Sequence, residues 1–279
     1  MLTVALFTLA ALAQGPDFSW SGELGSGKRL TVRNVIGDIR IEPASGASAS
    51  VTGVRKAGRH GDPKDVEIRQ VRTGDGITIC VVYPGSRNDG EDCDSHGGGR
   101  GDRWENNDTQ VDFTVRLPSG VALTAATVTG DVKGHGLRGG VEARSVSGDV
   151  LLDDVTGPVV EAQSVSGDLT LDGVRADEVT AHTVSGDVEF SGDIRPRGDY
   201  DLKSLSGDVV MRIPRNAGAE VTGSTFSGDF RSSFGITTRA TSRHTGSQRI
   251  DGTIGDGSAR IRVESFSGDV AIRELAGRQ

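Results

Sequence analysis

The sequence predicts an all-β protein: a β-solenoid, parallel β-helix-like, with coils of about 20 residues and two short strands per coil. Three observations predict it. A Gly-Asp pair, preceded by Ser or Thr and followed by an apolar residue, recurs at near-constant spacing through the C-terminal half. Apolar and polar residues alternate on both sides of each copy, the pattern of a half-buried strand. The composition also disfavours long helices: 41 Gly in 279 residues, aromatics at 4%, and frequent Val, Thr and Ser, which are weak helix formers.

The chain opens MLTVALFTLAALAQGPDF. Leu2 to Ala13 is an uncharged, largely apolar run of 12 residues, too short to span a bilayer as a helix. Ala11-Leu12-Ala13 has the small-x-small form of a signal peptidase site. Residues 1–13 are therefore expected to be a secretory signal, with the mature chain starting at Gln14. No Lys or Arg precedes the run, which departs from the usual signal, and no Cys follows it to carry a lipid. No transmembrane segment is expected in the mature chain.

Residues 14–118 are expected to form a less regular β N-terminal or capping region, continuous with the repeats. KRLTVRNVIGDIRIEP (28–43) alternates through Leu30, Val32 and Val35, turns at Gly37-Asp38, and resumes at Ile39 and Ile41. It is an isolated copy of the repeat. ASVTGVRKAG, DVEIRQVRTGDGITICVVYP and TQVDFTVRLPSGVAL read as further strands, two of them ended by Pro84 and Pro118. Residues 85–108 have no apolar periodicity and read as a long surface loop. Asp89, Glu91, Asp92, Asp94 and His96 are its cation-binding candidates, set against an ordinary solvated acidic loop. Arg100-Gly101-Asp102 matches an integrin-type tripeptide, too short a motif to carry a role. Cys80 and Cys93 lack CxxC spacing and an accompanying His cluster. In an oxidising compartment they are expected to form a disulfide.

From 119 to 279 the solenoid repeat dominates. Its corner glycines are Gly130, Gly148, Gly167, Gly186, Gly207, Gly228 and Gly268, at gaps of 18, 19, 19, 21, 21 and 40 residues. The last gap is two periods, so one copy is expected to have degenerated around Gln248. Apolar residues hold positions −7, −5, −2, +2 and +4, as in Val160, Ala162, Val165, Leu169 and Leu171 around Gly167. Position −3 is always Ser or Thr in these copies. Each strand buries a face only if the next repeat stacks on it, which places like positions about 4.8 Å apart in parallel ladders. The apolar set changes phase at −2, so a bulge or tight turn is expected to reset the chain there. A second corner is expected near 153–159 and 172–179.

Asp131, Asp149, Asp168, Asp187, Asp208, Asp229 and Asp269 follow the corner glycines. They are first of all turn residues, bonding nearby backbone. Stacked, they form a row of like charges, which leaves a cation ladder as the alternative. The calcium nonapeptide GGxGxDxUx does not occur, and no metal site or cofactor is expected. Residues 231–250 replace a coil with a polar, Arg-rich excursion. The N-terminal strands are expected to cap one end, and AIRELAGRQ (271–279) to blunt the other.

With these motifs in hand, the chain resembles the bacterial putative-adhesin family of exported β-strand-repeat domains of unknown function, related to the head domains of putative autotransporter adhesins. The carriers are FSWSGELGSGKRLTVRNVIGDIRI near the start, VDFTVRLPSGVALTAATVTGDV (111–132), the SVSGDV copies, and GTIGDGSARIRVESFSGDVAI (252–272). They cover about residues 18–275; the 85–108 loop and residues 231–250 depart from the pattern. The resemblance implies adhesion as a role and assigns no catalytic residues.

Net charge is −8 and no Lys/Arg cluster is dense enough to track phosphates, which argues against a nucleic-acid partner. His60, His96, His135, His182 and His244 are scattered, without metal-ligand spacing. No GxSxG elbow, phosphate loop or dinucleotide fingerprint occurs, and GTIGDG (252–257) leads into a strand rather than a helix. The expected function is non-enzymatic: an exported adhesin, or a cell-envelope binding or scaffold module, in the periplasm, on the outer surface or secreted. Its partner would be an unidentified envelope glycan or protein. The alternatives are a periplasmic signalling or structural component, and a polysaccharide-active β-helix lyase or hydrolase. For the enzyme, the candidates are Asp153, Asp154, Asp172, Glu189 and Arg212.

Overall fold

Alternating burial runs through the strands, as in β-branched segments that hide one face and wet the other. The computed structural model describes residues 17–84, Cys93, 107–244 and 247–275, with backbone alone for 237–244 and Ser247. The expected signal, the acidic candidates Asp89, Glu91, Asp92, Asp94 and His96, and residues 100–102 lie outside the described residues. Among the described residues the elements are strands apart from one short 3₁₀ turn, Pro63–Asp65. The N-terminal strands are β1 (Phe18–Glu23), β2 (Arg29–Arg33), β3 (Ile39–Pro43), β4 (Ser48–Lys56), β5 (Glu67–Arg72), β6 (Gly76–Val82) and β7 (Gln110–Leu117). Then come β8 (Ala122–Thr129), β9 (Val132–His135), β10 (Val141–Ser147), β11 (Val150–Asp153), β12 (Thr156–Ser166), β13 (Leu169–Ser185) and β14 (Val188–Gly192). The chain continues through β15 (Asp199–Ser206), β16 (Val209–Ile213), β17 (Ala219–Ser227) and β18 (Phe230–Ser232). It ends with β19 (Thr237–His244), β20 (Ser247–Ile254), β21 (Ala259–Ser267) and β22 (Val270–Glu274).

The strands stack in two ladders that meet at the Gly-Asp corner. The ladder before the corner runs β5-β6-β2-β8-β10-β12-β13-β15-β21-β17-β20-β19. The ladder after it runs β1-β4-β7-β3-β9-β11-β13-β14-β16-β22-β18. Pairing is parallel from β6 to β17 and from β7 to β18, and antiparallel at the outer strands. Long β13 serves both ladders, pairing through Leu169–Val174 in one and Glu178–Ser185 in the other. The protein is thus all-β and solenoid-like. One buried apolar cluster runs through it from Leu24 to Ile272. Its largest side chains include Tyr200 and Phe190, in edge contact with centroids 5.8 Å apart.

Stacking does not follow chain order at either end. The last repeat, β21–β22, lies between β15–β16 and β17–β18. The expected degenerate coil around Gln248 is therefore corrected. Residues 237–244 and 247–254 pair antiparallel as β19 and β20, and β20 pairs with β17 and closes the end of its ladder. By turning back antiparallel, the chain satisfies the edge of β17 without another coil. It then returns on the opposite side of β17. The described part of AIRELAGRQ, residues 271–275, does not blunt the end, because β22 is internal, between β16 and β18; the rest lies outside the described residues. At the other end β2–β3 sits between β6–β7 and β8–β9. The N-terminal region thus contributes two layers of the stack, and antiparallel β5, β4 and β1 close it.

Candidate functional site: the corner column and its apolar stripe

The corner signature builds a column, and each of its positions has one task. Gly148 takes φ +154°. A Cβ there would overlap the carbonyl oxygen of Gly130 in the layer below, so glycine alone satisfies both backbone and neighbour. Gly37, Gly130, Gly167, Gly186, Gly207, Gly268 and Gly228 meet the same close approach from the layer beneath. That gives the spatial order 37, 130, 148, 167, 186, 207, 268, 228.

The aspartates close the layers together. Oδ1 of each accepts the backbone N–H of the Asp one layer on. The chain of bonds runs from Asp112 to Asp38, Asp131, Asp149, Asp168, Asp187, Asp208, Asp269 and Asp229, at 2.8–3.1 Å. Gln248 ends the row, its side-chain amide donating to Asp229 Oδ1 at 3.1 Å. Where the next layer would supply a backbone N–H, a side chain supplies one. Charges beside the row are met locally: Lys133 bonds Asp131 at 2.8 Å, and Arg231 bridges Asp229 and Asp269 at 3.0 and 2.8 Å. Among the described residues, no three His, Cys, Asp or Glu side chains gather as a metal site.

Position −3 is the buried partner of this row. The hydroxyls of Thr127, Ser145, Ser164, Thr183, Ser204, Ser265 and Thr225 each donate to the corner-glycine carbonyl one layer down, at 2.8–3.1 Å. Asn34 does the same for the layer without a Gly-Asp pair, donating to Val111 O at 2.7 Å. A buried carbonyl at a corner, with no strand partner on that side, requires such a donor.

Position −2 therefore faces the other way. The sequence placed these apolar residues among the core set and expected the chain to reset its phase. The structure corrects this: the alternation of −7, −5 and −3 inward continues unbroken, and −2 points to solvent. Val128, Val146, Val165, Val184, Leu205, Phe266 and Phe226 are 43–53% exposed. They form one stripe along the column, with Val35 half-buried at its start. Phe226 and Phe266 stack with centroids 4.8 Å apart and planes within 4°. Parity was the available signal: an even position cannot share a face with −7 and −5 on a straight strand.

At the phenylalanine end the stripe borders an open groove of about 650 Å³, lined by Leu205, Phe226, Phe266, His182, Lys203 and Arg249. At its edge, Lys203 Nζ meets Asp201 Oδ2 at 3.0 Å, and His182 Nε2 lies 3.5 Å from Asp201 Oδ1. Burial pushes the Asp201 carboxyl up, but His182 and Lys203 outweigh it and hold the group below the usual range.

The five candidates for sugar chemistry lie on and beside the outer face after the corner. Asp172, Glu189 and Arg212 share a shallow groove of about 340 Å³, with Glu189 bound to Arg212 at 2.8 Å. Asp153 sits beside Asp172 in register but is held by His135 at 2.7 Å. Asp154 pairs with Arg138 at 2.9 Å, which holds its carboxyl low. The geometry thus brings three of the five together, two of them as an ion pair. Cys80 and Cys93 form a disulfide with Cα atoms 5.9 Å apart. No helix among the described residues is long and apolar enough to cross a membrane.

The class of protein these features define is a β-repeat scaffold with a solenoid-like stack. The chain belongs to the Toastrack DUF4097 family, whose model matches residues 27–273. This agrees with the resemblance read from the motifs, an adhesin-like domain of unknown function. No curated protein matches it significantly. Among solved structures it is similar to a putative cell adhesion protein from Clostridium sporogenes, at 10% identity over 92% of this chain and 99% of that chain, TM-score 0.36. A putative adhesin from Bacteroides fragilis is similar at 13% identity over 92% and 96%, TM-score 0.41. A putative lipid binding protein from Parabacteroides distasonis is similar at 13% identity over 94% and 98%, TM-score 0.37. Likenesses this distant assign no role.

Proposed function

We propose that this protein is a non-enzymatic association module of the cell envelope, exported and adhesin-like, which works through the apolar stripe of its corner column. The observation that carries this reading is the stripe itself. Seven apolar side chains, each 43–53% exposed, lie in one continuous row on consecutive layers, and contiguous exposed apolar surface marks interaction sites. The scaffold behind it is a β-solenoid of coils about 20 residues long, which keeps the row straight and costs little ordering on binding. Adhesion is the version that the sequence resemblance implies.

The test is co-sedimentation of the purified protein with sacculi, outer membranes and capsular polysaccharide, alongside the protein alone. Wild type is expected to associate, with an envelope fraction or with itself. A Phe226→Ser/Phe266→Ser variant is expected to lose most of that association while melting at the same temperature. Release of soluble sugars by the wild type, or wild type remaining a lone monomer in every tube, would overturn the reading.

A further inference from the structure

We infer that the occupant of the apolar stripe is a second copy of this chain, packed stripe to stripe and parallel about a two-fold axis that runs along the column. This rests on the reading of the stripe as the association surface, and names its partner.

The first argument is period. The stripe presents one apolar side chain per layer, Val128 to Phe226, on consecutively paired strands, hence one about every 4.8 Å. An extended peptide laid along it offers a same-face side chain about every 6.8 Å, and a helix one turn every ~5.4 Å. Both fall out of step within a few layers. A second copy has the same period by construction and stays in register over the whole stripe, as stacked strands do in dry zippers.

The second argument is charge, and it chooses the orientation. On one side the stripe is flanked by the aspartate row, where Asp149, Asp168, Asp187 and Asp208 are exposed. On the other side lies position −4, which carries Arg33, Arg144, His182 and Lys203, with Glu264 as its single acid; Arg144 there also pairs with Glu142 and Glu161, and His182 and Lys203 with Asp201. A two-fold axis along the column sets each aspartate row against the partner's basic row. The antiparallel arrangement sets aspartate against aspartate, and like charges directly opposed repel. Side-chain size agrees: Leu205, Phe266 and Phe226 occupy one end and valines the other, so parallel packing sets phenylalanine on phenylalanine. Stripe and flanking rows together span on the order of 600 Å² per copy, the lower end for specific interfaces. An interface of that size suits a reversible dimer.

Both native cysteines are already bonded to each other, so single cysteines report cleanly. Val128→Cys, Val165→Cys and Leu205→Cys would each be oxidised at about 100 μM, with Leu151→Cys, exposed on the other ladder's face, as the collision control. The parallel dimer expects all three stripe variants to cross-link to themselves at least tenfold faster than Leu151→Cys. Sedimentation velocity is expected to show wild type passing from monomer to dimer, and Phe226→Ser/Phe266→Ser staying monomeric. Cross-linking only in the mixture of Val165→Cys with Leu205→Cys, which an antiparallel stripe sets opposite each other, would overturn the parallel arrangement. A wild-type monomer at 100 μM, or equal rates for Leu151→Cys, would overturn the dimer. If the monomer still binds an envelope fraction through the stripe, the proposed function stands and only the second copy falls.

Discussion

Gly148 shows how much one corner position is asked to do. Its φ of +154° is unfavourable for a side chain, and the space where a Cβ would sit holds the carbonyl of Gly130. Gly148→Ala is expected to lower stability by about 2–4 kcal/mol. Gly25→Ala, with nothing near its Cβ position, should change it by less than about 0.5 kcal/mol; urea melts of both variants decide. The aspartates make a second claim at this scale. Asp187 Oδ1 accepts the Asp208 N–H at 2.8 Å, so Asp187→Ala should cost about 1–3 kcal/mol, and Asp187→Asn, which keeps an oxygen acceptor, less. The carboxylate row holds layers together through backbone donors, and thermal melts in calcium and in EDTA are expected to coincide. A lower melting temperature in EDTA would restore the cation ladder. The Ser-x-Ser-Gly-Asp motif was legible as a turn. The inward role of its first hydroxyl was not, because a donor to a carbonyl in another layer leaves no trace in local spacing.

At the scale of elements, the stack order is the result that spacing could not supply. Parallel strands of one repeat type are interchangeable in sequence, so the 40-residue gap from Gly228 to Gly268 suits a lost coil or a hairpin equally well. The pairing resolves it: Ser204 and Ser206 lie beside Ser265 and Ser267, which makes Leu205 and Phe266 neighbours. A Leu205→Cys/Phe266→Cys double variant is expected to form an intramolecular disulfide, since adjacent parallel strands bring Cα atoms to about 4.8 Å. Leu205→Cys/Phe226→Cys, about 9.6 Å apart across two layers, should not. Non-reducing peptide mapping of the two variants separates them, and the reverse result would return the stack to chain order. The apolar stripe belongs to this scale too. Residues at −2 were visible as apolar, and their change of phase was read as a bulge or tight turn that resets the chain, where an unbroken strand simply turns them outward.

For the whole molecule, the ends and the charges set the limits of stability. Antiparallel β5, β4 and β1 at one end and the β19–β20 pair at the other cover edges that would otherwise template further strands. Among the carboxyls held below their ordinary range, Asp131, Asp112 and Asp201 are the more enclosed. A hydrogen bond from Lys133 holds Asp131 down against burial. For Asp112, burial raises the group but Lys56, Gln110 and the Asp38 N–H together reverse it. Asp201 follows the same balance with His182 and Lys203. A depressed carboxyl contributes stability above its unfolded value near ~3.9, and that contribution is lost as pH falls through the folded value. The melting temperature is expected to be flat from about pH 7 to 5 and to fall progressively below about pH 4. Lys56→Met should lower the melting temperature at pH 7 and make the fall in acid shallower, because Asp112 then has less stabilisation to lose; a fall beginning near neutrality would contradict the assignment.

The sequence by itself determined the secondary structure class, the repeat and its corner, and the family, because strand alternation and the glycine requirement are local and repeat many times over. Only the tertiary structure decided which layer sits beside which, and hence that Phe266 precedes Phe226 along the column. It also decided that a row of hydroxyls faces in while a row of valines, leucine and phenylalanines faces out. These are properties of the stack: neighbouring layers come from residues 18 to 93 positions apart in the chain, and the bonds that choose them join backbone groups that every residue carries.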